Sequence, residues 1–387
     1  MKRPIKVATL TFHVAHNYGA MLQAYALEKA INNLGYDCCV LDYRFPYLDR
    51  WNGVRTRTDL CKIHGPMLGS MKYVSRCLKG YYKKENSKTA RRKFNSFMHE
   101  EMRLSKKVYE SFESLSKIKE YDCIVLGSDQ IWNPNLTGGV AKEYYGCCFD
   151  KSSTKIISYA ASSGTDSLDE QVEKEIPNFL SELSAIGVRE KGLANYIKTQ
   201  YRLNAQTVID PVFLLSKNEW ERLGAKSKFE KKYPYLLIYA FQTSDYIYEV
   251  AKQIADERGL KIISICYEKK DDFPEALQLT DCGPLDFVSL IQNADFVCTS
   301  SFHGMAFSII FEKSFYCVGH PLYSQRNRDL LSELKLETRM LCEEEGVREF
   351  LDIDYIKTDS RKRELVNKSI SFLRRSIGGN CDEYKVQ

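Results

Sequence analysis

The sequence contains no run of about 18 apolar residues, the length a membrane-spanning helix needs. Met1 to Leu10 holds no apolar segment long enough for a signal peptide, so a cytoplasmic protein is expected. Thirteen cysteines are present, yet no Cys-x-x-Cys occurs and no Cys/His cluster has the spacing of a zinc site. They lie singly or as the adjacent pairs Cys38-Cys39 and Cys147-Cys148, and adjacent cysteines rarely bridge each other. Cys123, Cys266 and Cys298 sit in apolar runs, where a thiol acts as a small hydrophobe. A reduced chain without a bound metal is the expectation. Net charge is only +5 over 387 residues, too little to argue for nucleic acid. Gly-x-Gly-x-x-Gly and Gly-x-x-x-x-Gly-Lys-Ser/Thr are both missing, so neither a dinucleotide nor ATP on a P-loop is indicated. There is no internal repeat and no low-complexity tract.

What remains is an ordinary globular composition, 44% apolar and 28% charged, on a chain long enough for two domains. Ile5 to Leu10 reads as a strand, Met21 to Leu34 as an amphipathic helix ending at Gly35, and Asp37 to Tyr43 as a second strand. That is a βαβ unit, hence a parallel sheet. The loop after the first strand, the usual ligand edge of such a sheet, carries His13, His16, Asn17, Tyr18 and Gly19. The alternative is a helix start with surface histidines. Pro46 to about Glu110 interrupts the alternation with polar, basic and aromatic residues and reads as a helical insertion. Its positive charge, concentrated between Arg50 and Lys107, suits an anionic membrane surface or substrate, or is simply solvated.

The α/β pattern resumes at Tyr121 to Leu126, followed by Gly127, Ser128 and Asp129 at a strand end. Gln130, Trp132 and Asn133 offer amides and a stacking face that suit a sugar; the alternative is a core tryptophan in a turn. Further strands are read at Lys155 to Ala161 and Ala185 to Val188, with helices at about Asp169 to Leu183 and Lys191 to Lys198. Arg189, where the second strand opens, can grip a carboxylate or phosphate with two parallel hydrogen bonds, or pair with Glu190. Thr207 to Phe213 reads as a strand closed by Asp210-Pro211, near a domain boundary. The alternation then restarts from Leu236. We therefore expect an N-terminal α/β domain over 1–205 with the insert at about 46–115, a C-terminal α/β domain over 206–350, and a closing helix and tail over 351–387.

One stretch organises the rest. Ala294 to Cys298 is a short buried strand, Ser300 and Ser301 follow, then His303-Gly304, then a helix from Met305. Free N–H groups and the helix dipole at such a start favour an anion, and phosphate above all. His303 can add a charge or a proton there. A serine-capped helix with a space-filling histidine is the plainer alternative. Beyond it, Tyr323 to Asp329 reads as a basic loop whose Arg326 and Arg328 can neutralise an anion held at His303.

Taken in order, Asn17-Tyr18-Gly19-Ala20, Gly127 to Pro134, Ser158 to Ser162, Val188-Arg189-Glu190, Asp210-Pro211 and Ser300 to Gly304 resemble the polysaccharide pyruvyl transferase family, from about Lys6 to Arg328. The resemblance implies two facing Rossmann-like domains of GT-B type with a central cleft and the helical insertion in the first. It implies phosphoenolpyruvate as co-substrate, no cofactor, and a pyruvate ketal formed on a sugar of a cell-surface polysaccharide or its lipid-linked precursor. On that reading His303, Arg189 and Asp129 are catalytic. Ser300, Ser301, His303, Gly304, Arg189, Arg326 and Arg328 hold the donor. His13, His16, Asn17, Tyr18, Gln130, Trp132 and Asn133 face the acceptor. The basic insert would give peripheral contact with the inner face of the cell membrane. Two alternatives stay open. One is a GT-B glycosyltransferase with a nucleotide-sugar donor, for which Glu312 could hold the ribose. The other is a non-catalytic glycan-binding protein, against which His303 and Arg189 weigh.

Overall fold

The computed structural model describes residues 3–45, 67, 70–71, 85–168, 175–240, 245–267, 269–270, 272–319, 325–342 and 353–378. Seven strands form the first sheet: β1 (Lys6–Leu10), β2 (Asp37–Tyr43), β3 (Leu104–Tyr109), β4 (Cys123–Leu126), β5 (Lys155–Ala161), β6 (Ala185–Val188) and β7 (Ala205–Thr207). Their order is β3-β2-β1-β4-β5-β6-β7, and every pairing is parallel. The second sheet holds β8 (Tyr235–Tyr239), β9 (Lys261–Ile265), β10 (Ala276–Leu279), β11 (Phe296–Thr299), β12 (Ser314–Val318) and β13 (Met340–Leu341) in the order β10-β9-β8-β11-β12-β13, again all parallel. Central strands such as Cys-Ile-Val-Leu of β4 and Tyr-Leu-Leu-Ile-Tyr of β8 are buried along their whole length. That is what a parallel sheet covered on both faces demands. In each sheet the strand order reverses once, beside β1 in the first and β8 in the second. Ligands of doubly wound sheets bind at such switch points. The two Rossmann-like domains face each other across a central cleft, as expected.

Among the described residues the helices of eight residues or more are α1 (Tyr18–Asn33), α2 (Glu85–Glu101), α3 (Lys191–Tyr201), α4 (Lys217–Gly224), α5 (Tyr246–Arg258), α6 (Pro284–Asn293), α7 (Phe302–Ile310), α8 (Gln325–Leu334) and α9 (Tyr355–Gly378). Helix α1 makes the main bridge between domains. Its Tyr18 ring stacks on Phe287 of α6 at 4.9 Å, and its hydroxyl donates to the Cys282 carbonyl at 3.0 Å. Tyr25 meets Trp220 of α4 at 5.8 Å, and Trp220 meets Phe307 of α7 at 4.7 Å. One apolar cluster therefore runs from the first sheet to the second.

Four expectations are revised. Most of the insert lies outside the described residues, and its described end is a helix, α2, followed by the edge strand β3. The Lys-rich alternation of Ser105 to Tyr109 suits an edge, where charge blunts further pairing. The strand at Thr207 to Phe213 stops at Thr207. Pro211 lacks a donor, the Asp210 carboxylate accepts from the Val212 N–H at 3.1 Å, and Pro211–Leu214 turns as a 3₁₀ helix. Gln325 to Asp329 belongs to helix α8, because Leu330, Leu331 and Leu334 bury one face; Tyr323 and Ser324 lie outside the described residues. Finally, α9 does more than close the chain. Phe372, Leu373 and Ile377 pack with Val7, Val125, Ile157 and Tyr159 beneath the first sheet, so α9 returns to the domain that holds β1.

Candidate active site

Four strand ends and one helix start build the site. After β4, Gly127 turns with φ 118°, and a Cβ there would lie 2.4 Å from the Tyr159 carbonyl oxygen. Only glycine fits. The turn sets Asp129 in the left-handed region (φ 72°), with its carboxylate accepting from the Gln130 N–H at 2.9 Å. After β6, Arg189 and Glu190 are buried. Beyond β7, Asp210 is buried as well. After β11, Ser301 caps α7 by accepting from the Gly304 N–H at 3.4 Å. Gly304 is held close to the strand, since a Cβ would meet the Thr299 hydroxyl at 2.2 Å. His303 follows on the first turn of α7.

These residues form one buried charge cluster. Arg189 Nη1 donates to Asp210 Oδ2 at 2.7 Å. Its Nη2 lies 3.7 Å from Asp129 Oδ1 and its Nε 3.6 Å from Glu190 Oε1. Its guanidinium stacks 5.0 Å above the Phe302 ring. His303 Nε2 stands 3.7 Å from the same Asp210 oxygen. Burial alone would raise the Asp210 carboxyl, but His303 and Arg189 outweigh it and hold it down at about 2. Burial pushes the Glu190 carboxyl up, against the opposing pull of Arg189 and Arg326. Burial, and then the charge of Arg189, depress the Arg326 guanidinium. Two arginines thus lie close together, Arg189 buried and Arg326 half-buried. Arg189, Glu190, Asp210, Phe302 and Arg326 wall a cavity of about 230 Å³, whose far side is formed by α8 and α9. Around the cluster, Arg189 Nε and Nη2, Glu190 Oε2 and His303 Nε2 are buried without a hydrogen bond among the described residues. Such groups are costly unless a ligand completes them.

The sequence-read residues separate accordingly. Asp129, Arg189, His303 and Arg326 are brought together. Arg328, two residues further along α8, instead donates to Cys342 Sγ at 3.4 Å. The Ser300 carbonyl accepts from Asn327 at 3.4 Å, tying the α7 start to α8. Asn17 caps α1 by accepting from the Ala20 N–H at 3.1 Å, and Gln130 accepts from Asn133 at 2.7 Å; all three are half-buried. His13 is fully buried, 3.3 Å from Asp42 Oδ1. Trp132 is buried too, stacked on Tyr145 at 5.3 Å with its N–H donating to the Tyr144 carbonyl at 2.9 Å. Its stacking face is therefore taken by the core rather than offered to a sugar. His16 stacks on Phe94 at 5.2 Å, and burial, helped by Arg91, lowers its pKa to about 4. Tyr18 is spent on the domain bridge. Gly19 approaches no open space: a Cβ there would lie 2.0 Å from His303 Nδ1, so the backbone of α1 abuts the histidine across the domain boundary. Asp210 and Glu190 had no role assigned from sequence, although a charged residue shortly after a strand end was the available signal.

With this geometry in hand, comparison with known proteins decides the family. The profile described as polysaccharide pyruvyl transferase matches residues 17–321. The chain belongs to that family. A search of curated proteins finds no match. Among solved structures, a UDP-N-acetylglucosamine 2-epimerase is similar with TM-score 0.53 and 8% identity, over 100% of this chain and 99% of that one. The UDP-GlcNAc 2-epimerase from Neisseria meningitidis, bound to UDP-GlcNAc, is similar with TM-score 0.50 and 9% identity, over 97% and 100%. A putative UDP-N-acetylglucosamine 2-epimerase from Listeria monocytogenes gives TM-score 0.50 and 8% identity, over 97% and 91%. At these identities the likeness is one of fold, the two-domain GT-B-like arrangement. The family makes the chain a transferase of polysaccharide synthesis. Among the described residues no helix is long and apolar enough to cross a membrane.

Proposed function

We propose that this family member transfers the pyruvyl group of phosphoenolpyruvate to a pair of hydroxyls on a sugar of a cell-surface polysaccharide or its lipid-linked precursor, forming a ketal and releasing phosphate. One observation carries the donor: the buried Arg189 and the half-buried Arg326 both line a cavity of about 230 Å³, while Arg189 keeps two N–H-bearing nitrogens without hydrogen bonds among the described residues. A compact polyanion satisfies both. The cavity is smaller than the roughly 300–1,000 Å³ of pockets for drug-sized ligands, which favours phosphoenolpyruvate over a nucleotide sugar. In this reading the carboxylate pairs with Arg189 and Arg326. The phosphate lies at the start of α7, where Ser300, Ser301, His303 and Gly304 gather and the dipole favours an anion. Asp129 and Asp210 fix Arg189, and Asp210 orients His303. The half-buried Asn17, Gln130 and Asn133 are the acceptor side. Glu312, the candidate ribose partner of a nucleotide sugar, pairs with Lys217 at 2.6 Å beyond the far end of α7. A helix of nine residues puts it about 13 Å from the cluster.

The test is thermal stabilisation of the purified chain by phosphoenolpyruvate, with uridine diphosphate as comparison. At a hundredfold excess over Kd the donor should add about 2.7 kcal/mol of stability. A shift with uridine diphosphate and none with phosphoenolpyruvate would move the reading to sugar transfer. Peripheral membrane contact through the basic insert is part of the proposal. It fails if the chain does not sediment with anionic liposomes at low salt.

A further inference from the structure

Pyruvyl transfer from an enol phosphate needs an acid at the methylene carbon, and with His303 placed at the phosphate in the reading above, that proton needs another source. Glu190 has the geometry for it. Its side chain is 2% exposed and forms part of the wall of the cavity that holds Arg189 and Arg326. One carboxyl oxygen, Oε1, accepts from the Ser162 hydroxyl and lies 3.6 Å from Arg189 Nε. The other, Oε2, is buried with no hydrogen bond among the described residues. Glu190 also sits at the N-cap of α3 but makes no side-chain cap there, so helix capping does not account for it. A half-satisfied buried carboxyl beside two arginines is expensive unless it has work to do.

We infer that Glu190 is the general acid that protonates the enol carbon of the donor, with Oε2 carrying the proton and Ser162 fixing Oε1. This rests on the phosphoenolpyruvate reading above. The proton moves from Oε2 to the methylene carbon, and the double-bond electrons form the new C–H bond. The carbon bearing the phosphate becomes cation-like and takes the oxygen of an acceptor hydroxyl. The C–O bond to phosphate then breaks with its electrons going to phosphate, and the second hydroxyl closes the ketal. Of the two hydroxyl protons lost, one restores the Glu190 acid and the other leaves on phosphate. The groups facing Glu190 make the assignment self-consistent. Burial outweighs the rest and pushes the carboxyl up, while Arg189 beside it, Arg326 from α8 and Ser162 from the β5 turn pull towards the carboxylate. An anionic donor on the two arginines cancels much of their pull. Donor binding therefore favours the acid form just when it is required.

The experiment uses the full chain with phosphoenolpyruvate in D₂O and water as acceptor. Proton NMR follows hydrogen exchange at the methylene carbon and release of pyruvate, and thermal shift follows donor binding. Wild type should exchange or hydrolyse. Glu190→Gln, close to isosteric, should lose at least about 100-fold of that rate, the usual worth of a general acid. Its stabilisation by phosphoenolpyruvate should stay within threefold in apparent affinity. Wild-type rate should fall as pH rises through the Glu190 titration, and the residual rate of Glu190→Gln should lack that limb. Glu190→Asp, which keeps a carboxyl, should recover part of the rate. Two outcomes overturn the inference. One is Glu190→Gln turning over within threefold of wild type. The other is a wild type that binds phosphoenolpyruvate yet neither exchanges nor hydrolyses it. A wild type that is not stabilised by phosphoenolpyruvate overturns the donor reading itself, and Glu190 with it.

Discussion

The contact between Gly19 and His303 permits a sharp test of how the two domains share the site. Gly19 lies in the first turn of α1 with no positive φ, so its backbone suits alanine; only space is missing. A Cβ would fall 2.0, 2.4 and 2.6 Å from three atoms of the His303 ring. Restoring an ordinary contact of 3.4 Å moves the ring, or α1 with it, by about 1.4 Å. The ring cannot retreat freely, because His303 is buried and Asp210 stands 3.7 Å from its Nε2. Overpacking of this kind costs about 1–3 kcal/mol, partly offset by the roughly 0.5–1 kcal/mol that alanine gains over glycine inside a helix. Gly19→Ala should therefore lose about 1–2 kcal/mol of stability. A 1 Å misplacement of a reacting group costs about 100-fold in rate, so the catalytic loss should be far larger than the structural one. Thermal unfolding and pyruvate release from phosphoenolpyruvate measure the two. A Gly19→Ala protein with wild-type melting and turnover within threefold refutes both the close contact and the role given to His303.

Asp210→Asn removes the one carboxylate hydrogen-bonded to Arg189 among the described residues and should cost about 3–5 kcal/mol, read by urea unfolding. The same carboxyl, normally near 3.8 and held at about 2, stabilises the fold fully above pH 3.8; that contribution, about 2 kcal/mol, is lost as pH falls from 3.8 through 2. The stability gap between wild type and Asp210→Asn, read by urea unfolding across that window, should narrow by about 2 kcal/mol. Arg326→Ala should weaken phosphoenolpyruvate binding by at least about 30-fold, whereas Arg328→Ala, facing Cys342, should change it less than threefold; equal losses would reject the division between them. Trp132→Ala should cost about 3–5 kcal/mol of stability with donor affinity preserved, and a stable variant would return Trp132 to the acceptor surface. Glu312→Ala breaks a surface pair worth at most about 1 kcal/mol and should leave the response to both phosphoenolpyruvate and uridine diphosphate unaltered.

Local pattern was enough for much of this molecule. Buried strands such as β4 and β8 are continuous apolar runs, and α1 shows helical spacing up to Gly35, because burial on both faces of a parallel sheet leaves those residues no other composition. The turn at Ser300 to Gly304 and the Asp-Pro after β7 were legible for the same reason: caps and prolines act on their own neighbours. The family, too, was readable from ordered short motifs. What the sequence could not convey was which of those residues meet. Arg326 and Arg328 are near twins in one dimension, and a helix sends one to Arg189 and the other to Cys342. His13 and Trp132 occupy strand-end loops like the site residues, yet one is spent on Asp42 and the other on Tyr145. Glu190 and Asp210 carry only the weak signal of a charge shortly after a strand, since the unpaired oxygen of Glu190 exists only relative to neighbours more than twenty residues away in the chain, such as Ser162 and Arg326. The sequence by itself determined most of the elements, their parallel pairing and the turns after β4 and β11, all of them short-range matters of period and backbone preference. The tertiary structure decided the packing of α1 against His303, the return of α9 to the first sheet and the convergence of two arginines on one cavity. Burial and Coulomb interactions depend on distance in space, which sequence separation does not encode.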